Sequence, residues 1–183
     1  MKLLIASDIH GSAWWCEKLL ELQAREKTER LLLLGDVLYH GPRNDLPRDY
    51  APKRVTAMLT GLDVPVLGVR GNCDAEIDQT VLGFPLLSDY ALVLWENRTL
   101  FATHGHIYMP EEYPPLRPGD AFISGHIHIP VCERRGGILY LNPGSVALPK
   151  EETRNSCMVL ENGVFRWYDL EDGSCWKEEA WEV

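Results

Sequence analysis

The chain has 183 residues, 45% hydrophobic, 25% charged and 9% aromatic, a globular usage that excludes collagen, coiled coil and disordered polymer. A chain of this length buries roughly 70% of its unfolded surface, so it needs neither staples nor a metal merely to fold. Eighteen basic against twenty-seven acidic residues leave a net charge of −9, which argues against a surface that tracks long nucleic acid.

The five cysteines, Cys16, Cys73, Cys132, Cys157 and Cys175, are odd in number and include no CxxC pair, so reduced thiols and a cytoplasmic location are expected. The apolar run after Met1 is too short for a secretory segment, and nothing approaches the roughly 18 apolar residues of a membrane span. No membrane association is expected.

In chain order, Leu3 to Ser7 reads as a buried strand, and Ala13 to Glu26 as a helix with Trp15, Leu19 and Leu22 on one face. Leu31 to Leu34 is a second strand. Pro52 to Gly61 is a second helix, opened by proline and closed by glycine. Pro65 to Val69 is a third strand, so this half predicts a parallel sheet with covering helices. The Tyr39 to Tyr50 stretch, with Pro42 and Pro47, reads as a surface loop beside a site. After residue 85 short strands take over: Leu92 to Trp95, Thr99 to Thr103, Ala121 to Ser124, Val131 to Arg134, Ile138 to Leu141, Met158 to Leu160 and Val164 to Tyr168. Turns fall at Asn97-Arg98, Gly136-Gly137 and Asn162-Gly163. The acidic, aromatic end through Trp176 and Trp181 matches no element. The fold class expected is α/β, two sheets face to face with helices outside, in one domain over residues 1–183.

The chemistry lies where apolar runs stop. Five runs finish in Asp8-Ile9-His10-Gly11, Gly35-Asp36, Gly71-Asn72-Cys73-Asp74, His104-Gly105-His106 and Gly125-His126-Ile127-His128. Beyond the carboxyl ends of strands in an open α/β sheet, such residues converge although about 120 positions separate the first from the last. Glycine beside each lets backbone approach closely. In a regular strand, Asp-x-His and His-x-His put both outer side chains on one face. A lone strand-end Asp is usually a cap, but the joint recurrence of two Asp, one Asn and four His is not explained that way. Without paired cysteines a structural thiolate site is excluded, and mixed oxygen and imidazole donors suit Mn²⁺, iron, Zn²⁺, Co²⁺ or Ni²⁺. Seven ligands exceed one tetrahedral ion and suit a pair sharing one carboxylate.

The motifs SDIHG, LGD, RGNCD, THGH, GHIH and LNPGS, spanning Ser7 to Ser145, resemble the calcineurin-like metallophosphoesterase family. The stretches GDVLYHGPRN and LPRDYAP are similar to its small bacterial phosphodiesterases. The resemblance implies the two-sheet α/β/β/α sandwich of the metallophosphoesterase type. It implies one divalent ion held by Asp8, His10 and His128, a second by Asn72, His104 and His126, and Asp36 as the bridge. Manganese is foremost among the metals, with zinc, iron, nickel, cobalt and magnesium as alternatives. It further implies hydrolysis of a small-molecule phosphodiester by hydroxide generated between the ions, with Asp36, Asn72 and His104 counted as catalytic.

Arg43, Asn44, Cys73, Asp74 and His106 are expected on the substrate side, and Asp74 is a candidate partner for a ligand histidine. Two positions depart from the pattern. Cys73 stands where many family members carry histidine as acid to the leaving group, and a neutral thiol is a poor substitute; His106, His40 or a metal-bound water would have to help. Ile127 replaces a common threonine, with its side chain expected to point away from the ligands. Ser145 reads as a turn residue, since no G-x-S-x-G elbow exists. The rival readings are a non-catalytic scaffold on this fold and a nuclease for short oligonucleotides. Self-association is left open, with the C-terminal tryptophans as a candidate interface.

Overall fold

The computed structural model describes residues 1–110 and 116–181. Strands β1 (Lys2–Ala6), β2 (Arg30–Leu33) and β3 (Val66–Gly68) alternate with helices α1 (Ala13–Glu26), α2 (Pro52–Thr60) and α3 (Glu76–Leu82). Eight strands follow: β4 (Tyr90–Trp95), β5 (Arg98–Thr103), β6 (Ala121–Ile123), β7 (Pro130–Arg135), β8 (Ile138–Pro143), β9 (Ser156–Glu161), β10 (Val164–Asp169) and β11 (Cys175–Ala180). They form a six-stranded sheet ordered β11-β10-β9-β1-β2-β3 and a five-stranded sheet ordered β4-β5-β6-β8-β7. β1, β2 and β3 are parallel, as the alternating helices require, and β9 joins the free edge of β1 antiparallel.

Strand alternation fixes the layers. Leu4 and Ala6 of β1, with Leu31 and Leu33 of β2, pack on Trp15, Leu19 and Leu22 of α1 and on Val55 and Leu59 of α2. Their neighbours Leu3, Ile5 and Leu32 face the other way and meet Leu100, Ala102, Ile123 and Leu139 of the second sheet. Both faces of β1 and β2 are thus apolar, as in buried parallel strands, and each fully buried leucine contributes about 2 kcal/mol. All three helices add side chains to the first of these cores. On the far face of the five-stranded sheet, Phe101, Phe122, Ile138 and Tyr140 are packed by Tyr108 and Leu116 from the connection between β5 and β6.

Local chemistry explains the boundaries. Ser12 caps α1, its hydroxyl accepting from the Trp15 N–H at 3.4 Å. Pro52 opens α2 and Gly61 ends it. Asn162 and Gly163 both take positive φ, 50° and 72°, which a two-residue hairpin of this hand needs. Two elements go beyond the sequence reading. One is α3, whose Asp78 carboxylate accepts the Ala75 N–H at 2.8 Å. The other is β11, formed by the acidic, aromatic end. Its following Trp181 is only 1% exposed and donates its indole N–H to the Gly119 carbonyl at 2.9 Å, so it is core and no part of an interface.

Candidate metal centre

The loops that leave β1 and β2 run on beside each other past the sheet. Asp8 N–H donates to the Gly35 carbonyl at 3.2 Å, His10 to Asp36 at 2.9 Å and Gly11 to Val37 at 2.9 Å. On the other side Val146 and Ala147 donate to Ser7 and Asp8, and Gly125 donates to the His104 carbonyl at 2.9 Å. The ends of β1 and β2 are thereby stitched to each other, the ends of β5 and β6 to each other, and the His126 N–H on Asp8 Oδ2 at 3.1 Å joins the two pairs in one rim. Asp8, His10, Asp36, His126 and His128 all take positive φ, between 48° and 68°. Residues other than glycine avoid this region, and such strain gathers at functional sites. It also replaces the strand alternation expected for Asp-x-His and His-x-His: these pairs sit beyond the strands, and left-handed turns aim them inward. Two glycines are there for space. A Cβ on Gly71 would overlap Asp36 Oδ1, and one on Gly125 would overlap Ser7 Oγ.

Three histidines are oriented by main-chain carbonyls. His10 Nδ1 donates to Tyr39 at 2.8 Å, His104 Nδ1 to Leu34 at 2.6 Å and His128 Nδ1 to Leu148 at 2.6 Å. A carbonyl only accepts, so each Nδ1 carries the proton and each Nε2 presents a lone pair inward, the usual preparation of a metal-ligating imidazole. Those lone pairs fall into two groups. His10 Nε2 lies 3.4 Å from His128 Nε2 and 3.6 Å from Asp8 Oδ1, with His128 Nε2 3.2 Å from that oxygen. His104 Nε2 lies 3.1 Å from Asn72 Oδ1 and 3.2 Å from His126 Nδ1. Asp36 Oδ2 stands between the groups, 3.6 Å from both His10 Nε2 and His104 Nε2. Its other oxygen accepts the Cys73 N–H at 2.8 Å.

This set fits divalent cations on its own chemistry. Acceptors face acceptors at hydrogen-bond distance, and Asp8 Oδ1 is buried without a hydrogen-bond partner. An arrangement that costs free energy when empty is repaired by a cation in its midst. The charge balance of the protein alone tells the same story. Burial pushes the Asp8 carboxyl up, but the adjacent imidazoles of His10, His128 and His104 outweigh it and hold the group well below the ordinary carboxylate range. Burial lowers the His10 imidazole, and Asp8, the Tyr39 carbonyl and Asp36 more than reverse this. His126 is lowered by burial and by its neighbour His104.

A cavity of about 920 Å³ opens beside the rim. Of the expected substrate-side residues, Arg43, Asn44, Cys73 and Asp74 line it; Tyr39, Ile127 and Lys150 line it too and were not anticipated. Ile127 faces this space, its side chain 45% exposed, because the left-handed turns at His126 and His128 throw it outward. His106 is not among the lining residues; it packs edge-on against His104, ring centroids 5.3 Å apart. His40 is held between Tyr39 and Tyr50, also off the cavity. Asp74 does not pair with a ligand histidine. Its carboxylate accepts the N–H groups of Asp36, Val37 and Gly71 at 2.9, 2.9 and 2.7 Å, tying the second and third strand ends together. Burial, then the charge and hydrogen bonding of Asp36 and the charges of Asp74 and Asp8, push the Cys73 thiol up to about 12, so it is neutral at pH 7. Ser145 is structural: its hydroxyl donates to the Asp8 carbonyl and accepts from Leu148 N–H.

Two sheets packed in a sandwich, with a histidine- and carboxylate-lined rim at the strand ends, define a metallophosphoesterase-type fold. The model of the calcineurin-like phosphoesterase superfamily domain matches residues 1–163, and the chain belongs to that family. It is 48% identical over 174 residues to phosphodiesterase YfcE of Escherichia coli strain K12, covering 95% of both chains. The solved structure of the E. coli phosphoesterase Yfce superposes with a TM-score of 0.95 at 46% identity, covering 100% of each chain. Vps29 of Entamoeba histolytica, solved with Zn²⁺, shares the fold alone, at 20% identity and a TM-score of 0.66 over 100% of both chains.

Proposed function

We propose that this chain hydrolyses small phosphodiesters with a pair of divalent cations held side by side in the rim. Membership of the phosphoesterase family and 48% identity to a phosphodiesterase over nearly the whole length make it a phosphoric diester hydrolase. The observation that carries the finer reading is the sharing of Asp36 Oδ2 between two groups of inward lone pairs, 3.6 Å to each side. Asp8, His10, His128 and Asp36 would hold one ion; Asp36, Asn72, His104 and His126 the other. When bound, such a pair would supply Lewis acidity at a phosphoryl oxygen and would lower the pKa of a coordinated water. We take manganese as the working metal, since the donors are oxygen and imidazole without a required thiolate.

The chain's own residues do the rest. The carbonyls of Tyr39, Leu34 and Leu148 keep three imidazoles in the tautomer that offers Nε2. Asp74 fixes Asp36 through backbone N–H groups, so the shared carboxylate does not swing. Arg43, at the cavity wall, meets the non-bridging charge or the far ester group. Cys73, a neutral thiol, gives the leaving group little proton help, so rates should climb steeply as leaving-group pKa falls. Aryl diesters would then outrun alkyl diesters; equal rates across such a series contradict this. We place the enzyme in the cytoplasm and treat residues 1–183 as one domain.

The test is metal analysis of the purified protein paired with turnover of bis(p-nitrophenyl) phosphate for each added ion. The expected result is about two metal ions per chain and turnover restored to chelated protein by Mn²⁺. A folded protein that holds the metal and hydrolyses no ester would instead be a scaffold.

A further inference from the structure

The ligand set assigned above leaves out one donor that the rim brings into range. The Cys73 thiol, His10 and Asp36 present one ligand atom each, all within 4.8 Å of one another. Cys73 is held in that position from three sides. Its N–H donates to Asp36 Oδ1 at 2.8 Å, the Asn72 amide donates to its sulfur at 3.1 Å, and Sγ lies 3.0 Å from where a Gly41 Cβ would be, so the neighbouring loop closes over it. A donated N–H favours negative charge on sulfur. Close by, the buried Asp8 Oδ1 without a hydrogen-bond partner marks where positive charge is missing. Cys73 also lines the cavity.

Resting on the reading of the rim as a cation site, we propose that Cys73 is a conditional metal ligand: it joins His10 and Asp36 around a thiophilic cation such as Zn²⁺, Cd²⁺ or Co²⁺, and stands off a hard one such as Mn²⁺. Thiolate prefers the softer ions, whereas carboxylate, carboxamide and imidazole accept either kind. In the ligation step the S–H bond breaks, its proton passes to solvent and a sulfur lone pair forms the bond to the cation; no oxidation state changes. A coordinating thiol is deprotonated by the cation itself, whatever its affinity for protons beforehand. Because Cys73 lines the cavity, a cation held by its sulfur would have one position fewer open to a substrate oxygen. Cys73 thereby becomes a device by which the site discriminates among metals.

The test loads chelated, folded protein with Co²⁺ and records its absorption, with bound cobalt counted by equilibrium dialysis. The expected result is a near-ultraviolet thiolate-to-cobalt charge-transfer band, absent from Cys73→Ser. In competition, Cys73→Ser should lower Cd²⁺ affinity about tenfold and move Mn²⁺ affinity less than about twofold. Cobalt bound without that band, a band that survives in Cys73→Ser, or equal losses for Cd²⁺ and Mn²⁺ would overturn the inference and leave the cation pair standing. No bound cobalt at all would overturn the cation site itself. The wild-type spectrum is decisive without the variant, and Cys73→Ala repeats the comparison should the serine variant fold poorly.

Discussion

Asp8, His10, Asp36, His126 and His128 sit in left-handed backbone, four of them fixed by main-chain hydrogen bonds to neighbouring segments and His126 by its N–H on Asp8 Oδ2 at 3.1 Å, and most are buried. The loop of residues 39–50 a few ångströms away is held otherwise. Its far end is tied down: the Ser12 hydroxyl donates to the Arg48 carbonyl at 2.6 Å, Ala13 N–H donates to the Asp49 carbonyl at 2.9 Å, and the Arg48 guanidinium lies 3.5 Å over the Trp14 ring. Its tip, with Pro42, Arg43, Asp45 and Leu46, is exposed beside the cavity. The rim spends backbone strain and desolvation to hold donors in place, whereas the loop leaves its side chains free to meet different esters. The contrast teaches that position is built where the metals would bind, and tolerance where the substrate would vary.

Substitutions can break this contrast, and the rim should be the more fragile side. Asp36→Ala removes the shared carboxylate and should cut kcat by about a thousandfold or more while circular dichroism stays native. Near-normal kcat at saturating Mn²⁺ would refute the shared role. Gly71→Ala should cost about a hundredfold, since its Cβ must displace Asp36; the loss should appear together with lower metal content. On the wall, Arg43→Ala should raise KM for bis(p-nitrophenyl) phosphate about fivefold and leave kcat within about twofold, because it removes binding common to ground and transition states. A kcat loss as large as that of Gly71→Ala would erase the distinction between the two regions.

The smallest effect lies away from both. Lys2 Nζ is 2.9 Å from Glu26 Oε2 and 3.4 Å from Glu161 Oε2. Burial opposes the charge on Glu26, but Lys2 holds its carboxyl below the ordinary 4.5; burial likewise opposes the charge on Lys2, and its two glutamates hold it above 10.5. The Glu26 contribution is therefore present above pH 4.5 and lost as pH falls through the lowered value. The Lys2 contribution is present below pH 10.5 and lost as pH rises through the raised one. Glu26→Gln should cost about 1 kcal/mol at pH 7, and the difference from wild type should shrink near pH 3 in thermal melts.

Much of this was legible in the chain because the informative residues lie at ends of apolar runs. Continuous runs such as Leu31 to Leu34 announce buried strands, and seven donors recurring at five run ends announce one rim. What the residues did not disclose was three-dimensional. The inward aim of His10 and His128 depends on positive φ, which has no signature outside glycine in a single sequence. Asp74 reads as a ligand partner, yet it binds backbone N–H groups of residues nearly forty positions away. Ile127 and Lys150 reach the cavity only because the fold brings the β6–β7 and β8–β9 connections beside the 39–50 loop. β11 escaped because it is an edge strand whose Lys177-Glu178-Glu179 centre puts charge on both faces, so no apolar run or alternation marks it. The candidate donors stand at run ends in the sequence, whereas Tyr39, Ile127 and Lys150 of the cavity wall needed the structure.

The most direct test of the central claim is anomalous scattering from crystals soaked with Mn²⁺. Two peaks that share Asp36 are expected, one among Asp8, His10 and His128 and the other among Asn72, His104 and His126. A single peak, peaks elsewhere on the surface, or none at saturating Mn²⁺ would contradict it.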